Sequence, residues 1–221
     1  KELSQAFNVT EDCIRKDLTT LEKAGLLKRI HGGAIQVREN LHTINVNERL
    51  KIHSPEKRII AKKAVELIEP GTMVFLGIST INLEIAKLIY QKNLNITLIT
   101  NMIDIMKLFT NESSTRLVFL GGSFNRARDG FLGSITIEQI KHYKFDISFL
   151  GVVGIDVYDG LTKKEVINSS KKSYIVAEKV KLRQDGNYVF GHIADFTGFI
   201  FEDEIQDNLK ERIVRYGLEI I

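Results

Sequence analysis

The chain has 221 residues, 43% of them apolar and 27% charged, an ordinary balance for a globular protein with a sizeable core. A net charge of +3 is too small to argue for a nucleic-acid partner on its own. The single cysteine, Cys13, excludes an internal disulfide framework and a cysteine zinc cage, and no apolar run is long enough to span a bilayer.

The opening residues, KELSQAFNVT, lack the apolar centre of a signal peptide, so a cytoplasmic location is expected. Residues 1–7 are expected to form a helix, with Asn8 and Val9 turning the chain. Thr10 then suits the N-cap of a second helix. In that helix Ile14, Leu18 and Leu21 recur at i, i+4 and i+7, the spacing of one buried stripe, and Gly25 ends it. LLKRI and AIQV flank His31-Gly32-Gly33 and read as a hairpin. Residues 39–55 are polar and weakly patterned, and Pro55 sits just ahead of a helix running to residue 68. Apolar strand-like runs then alternate with amphipathic helices. Strands are expected at 73–77, 95–100, 116–121, 147–152, 173–178 and 198–202, with helices at 80–91, 102–111, 134–143, 163–172 and 203–215. That alternation predicts a parallel sheet built from βαβ units. The expected organisation is a head, 1–38, a linker, 39–55, and an α/β body, 56–221.

With the apolar stripe turned inward, Glu11, Asp12, Arg15, Lys16 and Thr19 fall on the outside of the second helix. Arginine and lysine early in such a helix can reach guanine edges or phosphates in a major groove. The hairpin adds Lys28, Arg29 and His31, and its Gly32-Gly33 tip allows close backbone approach. This arrangement fits a winged helix-turn-helix. The acidic Glu11, Asp12, Asp17 and Glu22 fit equally well a solvated charged helix beside an ordinary hairpin. Residue types alone leave both readings open.

In parallel α/β sheets, ligands gather at the carboxyl ends of strands. Four stretches fall there. Gly77-Ile78-Ser79-Thr80 opens a helix, Thr100-Asn101 ends the second strand, Gly121-Gly122-Ser123 ends the third, and Glu178 and Lys181 follow the fifth. Together they suit a phosphate-sized ligand. Arg126 and Arg128 follow the glycine pair. Asp146 reads as a strand-start cap, and Asp156 fits a turn as well as a place in the pocket. His142, His192 and Asp195 read as structural, because no nucleophile stands at a recognisable spacing. The five histidines show no metal-ligand spacing, and Phe75, Phe119, Phe149, Phe199 and Phe201 read as core. No catalytic set, metal or cofactor is expected.

The order of residues in LSQAFNVTEDCIRKDLTTLEKAGLLKRIHGGAI closely resembles the DNA-binding signature of the DeoR family of bacterial regulators. Ile14, Arg15, Asp17, Leu18, Gly25, His31, Gly32, Gly33 and Ala34 match its pattern outright. Thr10 stands at its serine, Cys13 at its threonine and Lys16 at its second arginine. The resemblance implies a winged helix-turn-helix in which Thr10, Cys13, Arg15, Lys16, Thr19, Lys28, Arg29, His31, Gly32 and Gly33 meet double-stranded DNA. It also implies one more helix ahead of ELSQAF, which these 221 residues are expected to lack.

EKRIIAKKAVELIEPGTMVFL, LITN, FLGGSF and FDISFLGVVGID are similar to the sensor domain of the same family, so the resemblance covers almost the whole chain. It implies a Rossmann-like α/β/α domain, similar to ribose-phosphate isomerase and CoA transferase folds. Such a domain binds a phosphorylated sugar or related metabolite, with Ser79, Thr80, Asn101, Gly121, Gly122 and Lys181 as the matching positions. Arg49 and Lys57 match basic positions of the linker and first body helix. The body departs from the pattern: GISTI stands where the family has an aspartate-serine-glycine-threonine-threonine loop, and EKVK replaces an aspartate-x-serine-lysine stretch. The resemblance implies a non-enzymatic repressor of a carbohydrate-utilisation operon, acting as a homo-dimer or tetramer. A sugar-phosphate isomerase or deaminase with an appended domain, and a regulator whose sensor no longer binds a ligand, stay open as alternatives.

Overall fold

A computed structural model describes residues 2–23, 27–30, 33–36, 52, 54–152, 157–183 and 191–221. The chain forms two compact units, Lys1–Asn40 and Leu41–Ile221. Gly25, His31, Gly32, Arg49, Asp156 and most of the expected linker lie outside the described residues.

In the first unit, α1 (Glu2–Ala6) is followed by α2 (Glu11–Lys23). The turn between them places Asn8 at φ 52°, a conformation asparagine tolerates better than most residues. Thr10 caps α2 as expected, its Oγ1 accepting from the Cys13 N–H at 3.3 Å. Strands β1 (Leu27–Ile30) and β2 (Gly33–Gln36) pair antiparallel. The expected stripe is only partly covered. Ile14 and Leu18 are half-buried, whereas Leu21 is 39% exposed. A unit of forty residues has little interior to offer three apolar side chains.

The second unit begins its described helices with α3 (Ser54–Glu66). It continues with β3 (Met73–Leu76), α4 (Thr80–Gln91), β4 (Thr97–Thr100), α5 (Ile103–Leu108) and β5 (Arg116–Phe119). A short antiparallel hairpin follows, β6 (Ser123–Asn125) with β7 (Gly130–Leu132), and then α6 (Ser134–Ile140) and β8 (Phe145–Gly151). The remainder is α7 (Val157–Asn168), β9 (Ser170–Val176), two 3-10 turns, β10 (Gly198–Ile200), α8 (Asp207–Arg215) and β11 (Glu219–Ile220). Seven strands form one parallel sheet in the order β11-β10-β9-β8-β3-β4-β5.

Both faces of the sheet are covered, because alternate strand residues point to opposite sides. Val74, Leu76, Leu98, Phe149 and Val176 pack with Ile60, Ala64, Ile85 and Ile89 of α3 and α4. Phe75, Ile99, Leu150 and Ile175 pack on the other face with Ile140, Val166 and Ile213. The expected parallel sheet is therefore present.

Pro55 lies inside α3 and β11 has no counterpart in the sequence expectation, and two further differences bear on the site. The helix expected at 163–172 runs instead from Val157 to Asn168, and β9 starts at Ser170. Ser170 Oγ donates to the Val166 carbonyl at 2.6 Å, closing the helix where the lysine-rich run KKS begins the strand. The β6–β7 hairpin is the second difference; its exposed Phe124 gives no alternating signal in the sequence.

Candidate nucleic-acid interface and ligand site

In the first unit the polar side chains of α2 and β1 are linked to one another. The Arg29 guanidinium donates to Thr19 Oγ1 at 3.0 Å, and the Arg29 N–H donates to Glu22 Oε1 at 2.8 Å. Thr19 Oγ1 in turn donates to the Arg15 carbonyl at 2.7 Å. The hairpin is thus tied to the helix beside it by residues ten positions apart. Arg15 is 66% exposed at its side chain and pairs with Asp12 at 3.3 Å and Glu11 at 3.8 Å. Pairs this exposed are worth little, so Arg15 can be drawn to a stronger anion such as a phosphate. Lys16 is exposed as well, and Cys13 is an exposed free thiol whose Sγ lies 3.8 Å from Asp17. Gly33 opens β2 opposite Ile30, and an added Cβ there would meet nothing within 4 Å.

In the second unit the chain runs from β3 outward through β4 to β5, then crosses back to β8 on the other side of β3. The crevice between the carboxyl ends of β3 and β8 is therefore the topological switch point, where sheets of this kind bind ligands. Asn82 of α4 spans it, its Nδ2 donating at 2.9 Å to the carbonyls of both Gly77 and Phe149. Gly151 lies hard against Ser79, and an added Cβ would collide with the serine Oγ and Cβ. A cavity of about 10 Å³ lies here, lined by Gly77, Ile78, Asn101, Gly151, Thr162 and Lys163 among others. It has room for roughly one water molecule. The Asn101 Nδ2 donates to the Phe131 carbonyl at 2.8 Å, while its Oδ1 and the Asn82 Oδ1 are buried without a hydrogen-bond partner. Buried carbonyl oxygens of this kind favour a donor such as a ligand hydroxyl.

The expected ligand residues are all at the carboxyl edge, with different amounts of their polar capacity already used. Ser79 Oγ accepts from the Ile81 N–H at 3.2 Å as the cap of α4, and Thr80 begins that helix. Gly121 exchanges bonds with α6: its N–H donates to Gln139 Oε1 at 3.2 Å and its carbonyl accepts from Thr136 Oγ1 at 2.8 Å. Gly122 has φ 148°, and a side chain there would strike Thr136 Oγ1. Lys181 pairs with Glu178. Ile78 leans onto Gly130 of the β6–β7 hairpin, whose lack of a Cβ makes room for it. The Asp104 N–H donates to Asp129 Oδ2 at 3.0 Å, holding the same hairpin to α5, and burial pushes the Asp129 carboxyl up.

Asn101 alone of the expected ligand residues lines the cavity. Thr162 and Lys163, both buried on α7, line it and were not among the sequence candidates. Asp146 and the His192–Asp195 pair are engaged in hydrogen bonds that hold local backbone. Asp146 Oδ2 accepts from the Met73 N–H at 2.8 Å, and the His192 N–H donates to Asp195 Oδ2 at 2.7 Å. Among the described residues no group of histidine, cysteine or carboxylate side chains could hold a metal ion, and no helix is long and apolar enough to cross a membrane.

Residues 1–40 match the family described as the DeoR-like helix-turn-helix domain, and residues 52–203 match the DeoR C terminal sensor domain. The chain is 30% identical over 231 residues to a putative aga operon transcriptional repressor of Escherichia coli O157:H7, covering all of this chain and 86% of that one. It is 27% identical over 235 residues to the lactose phosphotransferase system repressor of Staphylococcus epidermidis, covering all of this chain and 90% of the relative. Ribose 5-phosphate isomerase A from Methanocaldococcus jannaschii aligns with 61% of this chain and 54% of its own at 19% identity and a TM-score of 0.39.

Proposed function

Because the chain belongs to the DeoR family of transcriptional regulators, we propose that it represses a carbohydrate-utilisation operon in the cytoplasm and is released from DNA by a phosphorylated sugar. The head, 1–38, reads one operator half-site, with Arg15 on base edges and Lys16 on phosphate. Thr10, Cys13, Thr19, Lys28, Arg29, His31, Gly32 and Gly33 complete its contact surface. The body, 56–221, binds the sugar phosphate and joins a second copy of the chain, since half-site reading by such heads relies on two-fold symmetry. It acts as a regulator and not as an enzyme. Its relatives include a putative aga operon repressor and a lactose phosphotransferase system repressor.

The observation that supports the ligand half of this reading is Asn101, which lines the cavity at the switch point and whose Oδ1 is buried without a hydrogen-bond partner. A sugar hydroxyl would satisfy it, with the phosphate held by Ser79, Thr80, Gly121, Gly122 and Lys181. The small cavity requires the edge to open before a sugar phosphate enters. A second reading, a sensor that binds nothing, draws on the same closure and on Ile78 seated over Gly130.

A genomic DNA fragment selected on the full-length protein, then challenged with a panel of sugar phosphates, tests the proposal. Release of the fragment by one member, lost in Asn101→Ala, is the expected result. A panel in which no sugar phosphate raises the melting temperature or releases DNA would support the second reading instead.

A further inference from the structure

The cavity at the switch point is walled by residues of unequal freedom. Phe75 and Leu150 stand on strands and Val166 on α7, each 1% exposed or less in one apolar cluster. Gly77 and Gly151 offer no side chain. The Asn101 amide is tied to the Phe131 carbonyl at 2.8 Å, and Thr162 and Lys163 are buried on α7, neither of them free. Ile78 is held differently. It lies between the end of β3 at Leu76 and the start of α4 at Thr80, and it is only half-buried. It lines the cavity, and its side chain leans on Gly130. A Cβ on residue 130 would come within 2.6 Å of Ile78 Cδ1 and 2.5 Å of the Asn101 carbonyl oxygen, so glycine there is what lets the isoleucine seat.

A densely packed interior yields where the fewest contacts are lost. Moving Phe75, Leu150 or Val166 would break the core, and moving Asn101 would break its bond to the hairpin. An isoleucine side chain makes no hydrogen bond, and Ile78 is already partly in water. It is therefore the wall that gives when a ligand enters. The closed cavity measures about 10 Å³, room for roughly one water. With the other walls fixed, the space a ligand gains is the space the isoleucine leaves: four carbons, and the one water. We infer that Ile78 is the specificity-determining residue of this site, restricting it to a phosphorylated sugar or polyol with a three- or four-carbon body. A three-carbon polyol brings three carbons and two hydroxyls, close to what the isoleucine and the water vacate. One hydroxyl would meet Asn101 Oδ1, buried and without a partner. A hexose body has six carbons and five oxygens, about twice that content, and would press on Phe75, Leu150 and Val166. The phosphate needs none of this space, because Ser79, Thr80, Gly121, Gly122 and Lys181 are not among the cavity's walls. This size limit rests on the proposed ligand site for the place of the phosphate.

Isothermal titration of the full chain with glycerol 3-phosphate and glucose 6-phosphate tests it. The unaltered protein should bind glycerol 3-phosphate about tenfold more tightly or better, a discrimination that a small apolar change in a pocket can supply. In Ile78→Ala glucose 6-phosphate should gain about tenfold or more, and glycerol 3-phosphate should change little. Ile78→Val removes one methyl group and should fall between, with a melting temperature close to that of the unaltered protein. It keeps the test open if the alanine variant does not fold. The same preference in all the folded proteins, or an unaltered protein that prefers glucose 6-phosphate, would overturn the role of Ile78 and leave the ligand site standing. Failure of both compounds to bind any of the three proteins would overturn the ligand site, and the size limit with it.

Discussion

The two units use their side chains in opposite ways. In the head no described side chain is buried, and its polar groups on α2 and β1 are bound to one another across the surface. In the body two apolar clusters sandwich a seven-stranded sheet, and the polar groups of interest are buried at one edge of it. A surface meant for the sugar-phosphate chain of DNA gains from staying wet and charged. A ligand pocket gains from low dielectric and from polar groups that only the ligand completes. The contrast says that changes in the body should act first on stability and changes in the head first on binding.

The largest expected effect tests the body's side of that contrast. Phe149 of β8 is fully buried and stacks on Tyr174 at 6.1 Å between ring centroids. Phe149→Ala should cost about 3–5 kcal/mol in urea denaturation, as buried phenylalanine truncations do. Leu18→Ala in the head, where the side chain is half-buried, should cost about 1 kcal/mol. Equal costs at the two positions would break the contrast.

A smaller effect tests the head. Arg15→Ala should weaken binding to a specific operator by about 1–3 kcal/mol and relax base preference, whereas Lys16→Ala should reduce the salt slope by about 1 and weaken all sequences alike. Arg15 must leave Asp12 and Glu11 to meet DNA, and both pairs are exposed enough to exchange cheaply. Titrations on specific and random DNA at several salt concentrations separate the two residues. Equal losses on both DNAs for Arg15→Ala would remove its role in reading bases.

The same contrast explains what could be read from the sequence. In the body, runs such as MVFL and TLIT announce β3 and β4 because strands buried on both faces carry no charges and are rich in apolar and β-branched residues. Helix α7 starts earlier than its pattern predicts because YDGLTKKE carries almost no apolar period, and Lys171 and Lys172 belong to a strand. Thr162 falls ahead of the expected helix start, and Lys163 falls at it with nothing in the pattern to turn it toward a ligand. Asn101 is legible as a strand-end residue, but its bonding is not: its Nδ2 donates to the Phe131 carbonyl of a hairpin thirty residues away, and its Oδ1 is left without a partner. In the head, the order of residues 10–34 was enough to name the family signature. The Arg29–Thr19 link was invisible, since it depends on where the hairpin folds against the helix.

The smallest predicted effect lies at the amino end of the body's sheet, away from the ligand edge. There Asp146 accepts from the Met73 N–H at 2.8 Å and pairs with Lys171 at 2.7 Å. The bond to Lys171, then the Met73 N–H, holds its carboxyl below the usual aspartate range. A carboxylate with a depressed folded pKa stabilises fully above its unfolded pKa of about 3.9 and loses that contribution as pH falls through the folded value. Lys171 is 74% exposed at its side chain, so screening keeps the pair to about 0.2–1 kcal/mol. Asp146→Asn should therefore lower stability slightly and evenly at neutral pH, with the difference from the unaltered protein shrinking below about pH 4. Sugar-phosphate binding should not change, because this aspartate works at the structural end of the strands. A shift in ligand affinity in Asp146→Asn would mean that the two ends of the sheet are coupled, and that the body's division into a stabilising edge and a binding edge is wrong.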